Sequence, residues 1–192
     1  MRATAGLLPL LALLGAGCAQ SPHAIEHAGE LALSKEMSRL GRLVGAWAGT
    51  GEVLTPVAAP AVARPGMETA AIRLEGGSVY SWVLGGAYLK AVGWHETLDG
   101  KREHFVEYVT WDPREGKYLA WWFSDRGQRG RRTITLEGDE MRSSVDGSHP
   151  DGTPLEGKGV VTFVGEDETR WTWTEKTPQG EVRLRGTMTR RR

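Results

Sequence analysis

From Gly45 onward the chain alternates apolar and polar residues in short segments rich in Val, Thr, Trp and Tyr, punctuated by Gly, Asp-Gly and Pro. A period of two is the pattern of half-buried strands, because successive side chains on a strand point to opposite faces of the sheet. About ten such segments are spaced as in an antiparallel barrel or sandwich. The fold class predicted is all-β: a single antiparallel up-and-down β-barrel of about ten strands with a short N-terminal helix. The alternation is cleanest late in the chain, where Trp171, Trp173 and Glu175 interleave with Arg170, Thr172, Thr174 and Lys176, and Val182, Leu184, Gly186 and Met188 with Arg183, Arg185, Thr187 and Thr189. The first member of each set is expected to face inward. Ahead of the strands the period changes: Met37, Leu40 and Val44 share one helical face, with Ser34 as the predicted N-cap and Gly45 as the stop.

Two turns suggest a register. Asp99-Gly100 reads as a two-residue hairpin turn, which pairs Leu98 with Lys101, Glu96 with Glu103, His95 with His104 and Trp94 with Phe105. The turn Asp112-Pro113-Arg114-Glu115-Gly116 places Trp111 opposite Lys117 and Tyr108 opposite Ala120. One face then carries Lys90, Glu96, Glu103, Glu107 and Lys117 among apolar residues; the other carries Ala91, Gly93, His95, His104, Tyr108, Tyr118, Ala120 and Trp122. Burying unpaired charge is costly, so the second face is assigned to the interior, although a diagonal Lys90–Glu107 ion pair would permit the reverse. The small residues Ala91, Gly93 and Ala120 would leave room inside, with Tyr108, Tyr118, Trp122, Trp171 and Trp173 around it as a ligand-binding wall. Residues 55 to 66, with Pro56, Pro60 and Pro65, exclude a central strand and read as a surface loop, or alternatively as a flap over one barrel mouth.

The start of the chain departs from this pattern. Met1-Arg2, the apolar run Leu7 to Leu14 and the exit Gly15-Ala16-Gly17-Cys18 follow signal-peptide grammar, and the run is too short to span a bilayer. "LLGAGC" resembles the bacterial lipoprotein signal, whose cysteine becomes lipidated, with Gly15 departing from the usual leucine. The resemblance implies an exported protein of the cell envelope, periplasmic and membrane-anchored by lipid at Cys18; ordinary cleavage after Ala19 is the alternative. The domain reading is residues 1–17 as signal peptide, 18–33 as lipidated cysteine and tether, and 34–192 as the barrel. A lone cysteine excludes a disulfide framework, so a hydrophobic core must carry stability. Equal numbers of basic and acidic side chains, 24 of each, give no general field for nucleic acid.

A helix followed by Gly45-Ala46-Trp47 at the first strand, then an antiparallel meander, resembles the calycin superfamily of lipocalins, fatty-acid-binding proteins and nitrobindin-like domains. The segments "LGGAYLK" (residues 84 to 90) and "YVTWDPREGKYLAWWFSD" (108 to 125) are similar to the bacterial domain-of-unknown-function family 1579. This resemblance implies that Trp47, beside Gly45, is a structural plug of the barrel's closed end, with an arginine such as Arg183 or Arg185 stacked on it. Nitrobindin-like relatives bind haem through a late histidine, but no histidine follows His149 here, which argues against haem.

Of the five histidines, only His95 and His104 are brought together by the register above. Two imidazoles do not complete a metal site, and no metal is predicted. They read first as a satisfied or solvent-facing hairpin pair; the alternative makes them, with Tyr108, a candidate catalytic set, a general base and its partners. Ser148, His149 and Asp151 hold the residue types of a hydrolytic triad, but crowded into one turn they read as turn residues. The function expected is binding of a small apolar or amphipathic molecule without nucleic acid or cofactor; a small-molecule enzyme and an envelope interaction module, built on a Trp94, Trp111, Trp121 patch, are the alternatives.

Overall fold

The computed structural model describes residues 32–54, 72–98, 100–177 and 180–192. The signal segment, Cys18, His23, His27 and the proline-rich stretch at 55 to 66 lie outside them. The described residues form a closed barrel of ten antiparallel strands, each paired with the next in sequence and the first with the tenth. They are β1 (Gly45–Val53), β2 (Arg73–Val83), β3 (Tyr88–Glu96), β4 (Arg102–Asp112), β5 (Lys117–Ser124), β6 (Arg129–Glu137), β7 (Glu140–Ser148), β8 (Pro154–Val164), β9 (Glu168–Thr177) and β10 (Gly180–Arg191). Closure removes every sheet edge, so no backbone row is left to recruit another strand.

A single helical turn, α1 (Lys35–Ser38), continues into a 3-10 segment, Arg39–Leu43, and plugs one end of the barrel. Ser34 caps it, its hydroxyl accepting from the Met37 amide at 3.1 Å. The tighter 3-10 pitch turns Leu43, in place of Val44, fully into the core beside Met37 and Leu40. These side chains meet Leu89, Val109, Tyr118, Ala120, Ile134, Leu136, Met141 and Phe163 in one apolar cluster.

Trp47 is 4% exposed beside this plug, and its indole N–H donates to the Leu43 carbonyl at 2.7 Å. The guanidinium above its ring, 4.5 Å from the centroid, belongs to Arg190. Arg183 and Arg185 point outward instead, to Glu181 at 2.7 Å and Glu52 at 2.5 Å, because they alternate with the inward Leu184 and Gly186. Arg190 also donates to the carbonyls of Val44, of Arg42 at 2.8 Å and of Glu166 at 3.0 Å, and pairs with Asp167 at 3.1 Å. Gly45, at φ +119°, admits this side chain: a Cβ there would lie 2.9 Å from an Arg190 nitrogen.

The β3–β4 register differs from the sequence expectation by one residue. Gly100 takes φ +75° and donates to the Thr97 carbonyl, while the Thr97 amide donates to Lys101, so the loop has three residues and not two. His95 therefore pairs with Glu103, Trp94 with His104 and Gly93 with Phe105. At the next turn Asp112 pairs with Lys117 and Tyr108 with Trp121, a slip of one residue in the compensating sense. Since one residue inverts a strand's faces, β3 and β5 keep their assigned faces and β4 alone is reversed. Glu103, Phe105, Glu107, Val109 and Trp111 point inward, and His104 and Tyr108 point out.

Candidate functional site

Opposite the plug, the barrel opens into a cavity of about 580 Å³. Its apolar walls include Leu74, Phe105, Trp171, Trp173, Val182, Leu184 and Met188; Ser78, Tyr80, His95, Glu103 and Glu175 supply polar groups, and Thr97, Leu98, Arg126 and Gln128 form part of the mouth. The two indoles are laid against the wall by glycines. A Cβ at Gly51 or Gly186 would come within 2.6 or 2.5 Å of Trp171, and one at Gly159 within 2.6 Å of Trp173. Gly157 lies under the same Trp173 ring. Absent side chains on β1, β8 and β10 thus become flat seats for rings from β9, which keeps the lumen clear.

The residues read from sequence as the binding wall separate into three groups. Trp171 and Trp173 line the cavity. Tyr118, Ala91 and Ala120 are buried away from it: Tyr118 donates its hydroxyl to the Glu36 carbonyl at 2.7 Å, and both alanines are fully covered. Gly93 makes no room, because the Phe105 ring fills the space a side chain would take, 2.7 Å from an added Cβ. Trp122 faces inward deeper in the barrel, over Gly130. Tyr108 is on the outer surface with the Lys90 ammonium 5.9 Å from its ring centroid, a consequence of the reversed β4.

The candidate catalytic set is likewise divided. His95 stands at the cavity mouth, whereas His104 is outside, its Nδ1 2.9 Å from the Asp125 carboxylate. That bond holds the Asp125 carboxyl below the usual carboxylate range. His95, His104 and Tyr108 therefore cannot act on one bound molecule, since acid–base partners must lie within hydrogen-bond reach of it. Ser148, His149 and Asp151 form a turn, in which the Asp151 carboxylate accepts from the Thr153 amide at 2.9 Å and Gly152 donates to the His149 carbonyl. Among the described residues no group of three His, Cys, Asp or Glu side chains is arranged to hold a metal ion.

Reversal of β4 brings in groups that sequence reasoning placed outside. Glu103 is 1% exposed; one carboxylate oxygen is 3.9 Å from His95 Nε2, and the other has no hydrogen-bond partner. Although 49% of its side-chain surface is exposed, the partial burial of His95 lowers its pKa below the usual value, against the opposing pull of Glu103. Deeper down, Glu107 pairs with Arg132 at 3.4 Å without hydrogen-bond geometry. Tyr80 reaches this region, and its phenol is raised above the ordinary value by burial and then by the Glu107 charge, which keeps it a proton donor. Nearby on the same ring of pairs, between Glu107 and Gly130, the Trp122 indole N–H is buried without a partner. The periodicity of β4 held the signal for this polar interior, but only the turn geometry at Gly100 could orient it.

No protein-family model matches the chain, and no curated protein sequence does. Among solved structures the chain is similar to the S-type phycobiliprotein lyase CPES from Guillardia theta, at 12% identity and a TM-score of 0.52, over 85% of this chain and 96% of that one. It is also similar to EF1p2_mFAP2b bound to DFHBI (14% identity, TM-score 0.45, 81% of this chain and 99% of that one). A third is the redesigned β-barrel mFAP1 bound to DFHBI (15% identity, TM-score 0.40, 78% and 96%). The lyase likeness concerns the fold alone: a closed barrel of ten antiparallel strands.

Proposed function

We propose that this chain is an exported, lipid-anchored barrel, allied to the domain-of-unknown-function family 1579, that binds a small amphipathic molecule in its open cavity. The observation that carries the binding reading is a lumen walled by Trp171, Trp173 and Phe105 that also contains a buried carboxylate oxygen without a partner. Apolar walls with a few polar groups are the composition of small-molecule sites, and the volume suits one such ligand. No cofactor is part of the proposal. The anchor rests on Cys18 within "LLGAGC" and the family alliance on residues 84 to 90 and 108 to 125.

Because two indoles line the lumen, retinol or dodecanol titrated into the full chain should shift tryptophan emission with saturation, and native mass spectrometry of protein from its own host should show a retained small molecule. Absence of both sinks the binding reading. For the anchor, wild type should partition into detergent and Cys18→Ser should not; a mature chain beginning at Gln20 disproves it.

One observation favours an interaction module as the second reading. Val79, Val92, Val106 and Phe123 are successive cross-strand neighbours on the outer surface, with Val79 54% and Phe123 48% exposed. The expected tryptophan patch is not what forms it. Trp94 is covered by the Arg102 guanidinium at 4.1 Å, Trp111 packs inward against Tyr118 with centroids 4.9 Å apart, and Trp121 alone of the three is exposed.

A further inference from the structure

We infer that the cavity selects a ligand with a cationic head, a protonated amine or quaternary ammonium on an apolar body, and rejects carboxylates of the same length. The inference deepens the binding reading and rests on it. Its starting point is Glu103, a cavity-lining carboxylate that is 1% exposed with one oxygen left without a hydrogen-bond partner. A charged oxygen removed from water is costly unless something pairs with it. The nearest cation-forming group is His95, but it lies 3.9 Å away and burial favours its neutral form. A ligand ammonium would supply the missing donor and the missing charge together.

The rest of the lumen has the same polarity. Glu175 also lines it, held in place by a 3.3 Å hydrogen bond from the Trp173 indole to one of its oxygens. Glu75 and Glu96 stand at the rim on the outer face of their strands, where the Glu96 carboxylate accepts from the Glu75 amide at 3.1 Å. Against the inward Glu103 and Glu175 the described lining has one arginine, Arg126, in the turn between β5 and β6. Its charge is directed partly at His95, whose protonated form it disfavours. The walls add a second attraction. Trp171, Trp173 and Phe105 present ring surface to the lumen, and an ammonium over such rings is drawn by their negative faces. A fatty carboxylate entering here would meet Glu103 and Glu175 with like charge in a space of low dielectric.

The test uses the full chain and three probes of equal chain length, dodecylamine, dodecanol and laurate, below their aggregation concentrations, read by tryptophan emission and calorimetry. Dodecylamine should bind most tightly, with laurate weaker by about tenfold or more, since one ion pair in a partly dry site contributes at least that much. Glu103→Gln, which keeps the shape, should cut the preference for dodecylamine over dodecanol by about tenfold. Should Glu103→Gln fail to fold, Glu175→Gln provides the same comparison, and the wild-type ranking of heads needs no variant. If laurate binds as tightly as dodecylamine, the cation inference is wrong and the binding cavity stands. If none of the three binds, the cavity reading and this inference fall together.

Discussion

Arg190 fastens the plug to the barrel, and its removal is the most telling test of how the closed end is held. The guanidinium lies over Trp47 and donates to the carbonyls of Arg42 and Val44, groups left without helical partners where the 3-10 segment ends. Each hydrogen bond from a charged donor contributes about 1.5–3 kcal/mol, and the stacking about 0.5–1 kcal/mol, with the parts less than additive. Its pair with the half-exposed Asp167 contributes little by comparison. Arg190→Met keeps the stem over the indole and deletes the donors, so a loss of about 3 kcal/mol is expected. For a chain of this size that corresponds to roughly 6–12 °C in Tm. Arg190→Lys should recover only part of it, because a single ammonium cannot bridge the two sides of the joint. Urea unfolding followed by tryptophan emission measures the loss, with Arg192→Met as control: that side chain is 85% exposed, and its change should leave the unfolding midpoint where wild type has it. An Arg190→Met protein as stable as the control would refute the reasoning.

Trp47→Ala should cost about 3–5 kcal/mol in the same urea assay, the usual penalty for truncating a buried large aromatic, and dodecanol binding should follow folding. Gly93→Leu should destabilise by about 1–3 kcal/mol or more, because the Gly77 carbonyl oxygen and the Phe105 ring already occupy the space, 2.4 and 2.7 Å from an added Cβ; a well-folded Gly93→Leu with unchanged Tm would show that the space is open. His95 has a folded pKa below its usual 6.5, so the folded state binds fewer protons than the unfolded one in the window beneath that value. Its contribution is fully present above about pH 6.5 and is lost as pH falls through the depressed folded value; the stability gap between wild type and His95→Gln, measured by urea at about pH 8 and about pH 5, should move against wild type at the lower pH. An unchanged gap would show that the imidazole is equally easy to protonate in both states.

The barrel was readable because alternation is a local property: Trp171 to Glu175 and Val182 to Met188 declare their inward faces without reference to any neighbour. The helix was readable for the same reason, through Ser34 and the spacing of Met37 and Leu40. The site depends on which residue lies across from which, and that was set by a glycine turn whose length the sequence does not display. One residue at Gly100 decided whether His104 or Glu103 entered the lumen. The general reluctance to bury charge then pointed the wrong way, since Glu107 enters with Arg132 as a partner from a strand two places on. Small residues misled similarly: Ala91, Gly93 and Ala120 read as empty space, whereas Gly93 is the floor beneath an aromatic ring from across the ladder. Whether a missing side chain opens a lumen or seats a neighbour is not decided within its own strand.

The pairing of β1 with β10 gives the molecule a direction in time. During synthesis β2 to β9 can zip in order, each onto the strand just made, but β1 keeps one open edge until β10 emerges. Arg190, 148 residues after the Arg42 carbonyl it binds, arrives almost at the end of that strand. Closure and fastening of the plug are thus a single late event, spanning nearly the whole described barrel and subject to the slow kinetics of distant contacts. A growing chain that has not reached β10 exposes one unpaired edge at each side of an unfinished sheet, the form most open to chaperones, to proteases and to passage as an unfolded polypeptide.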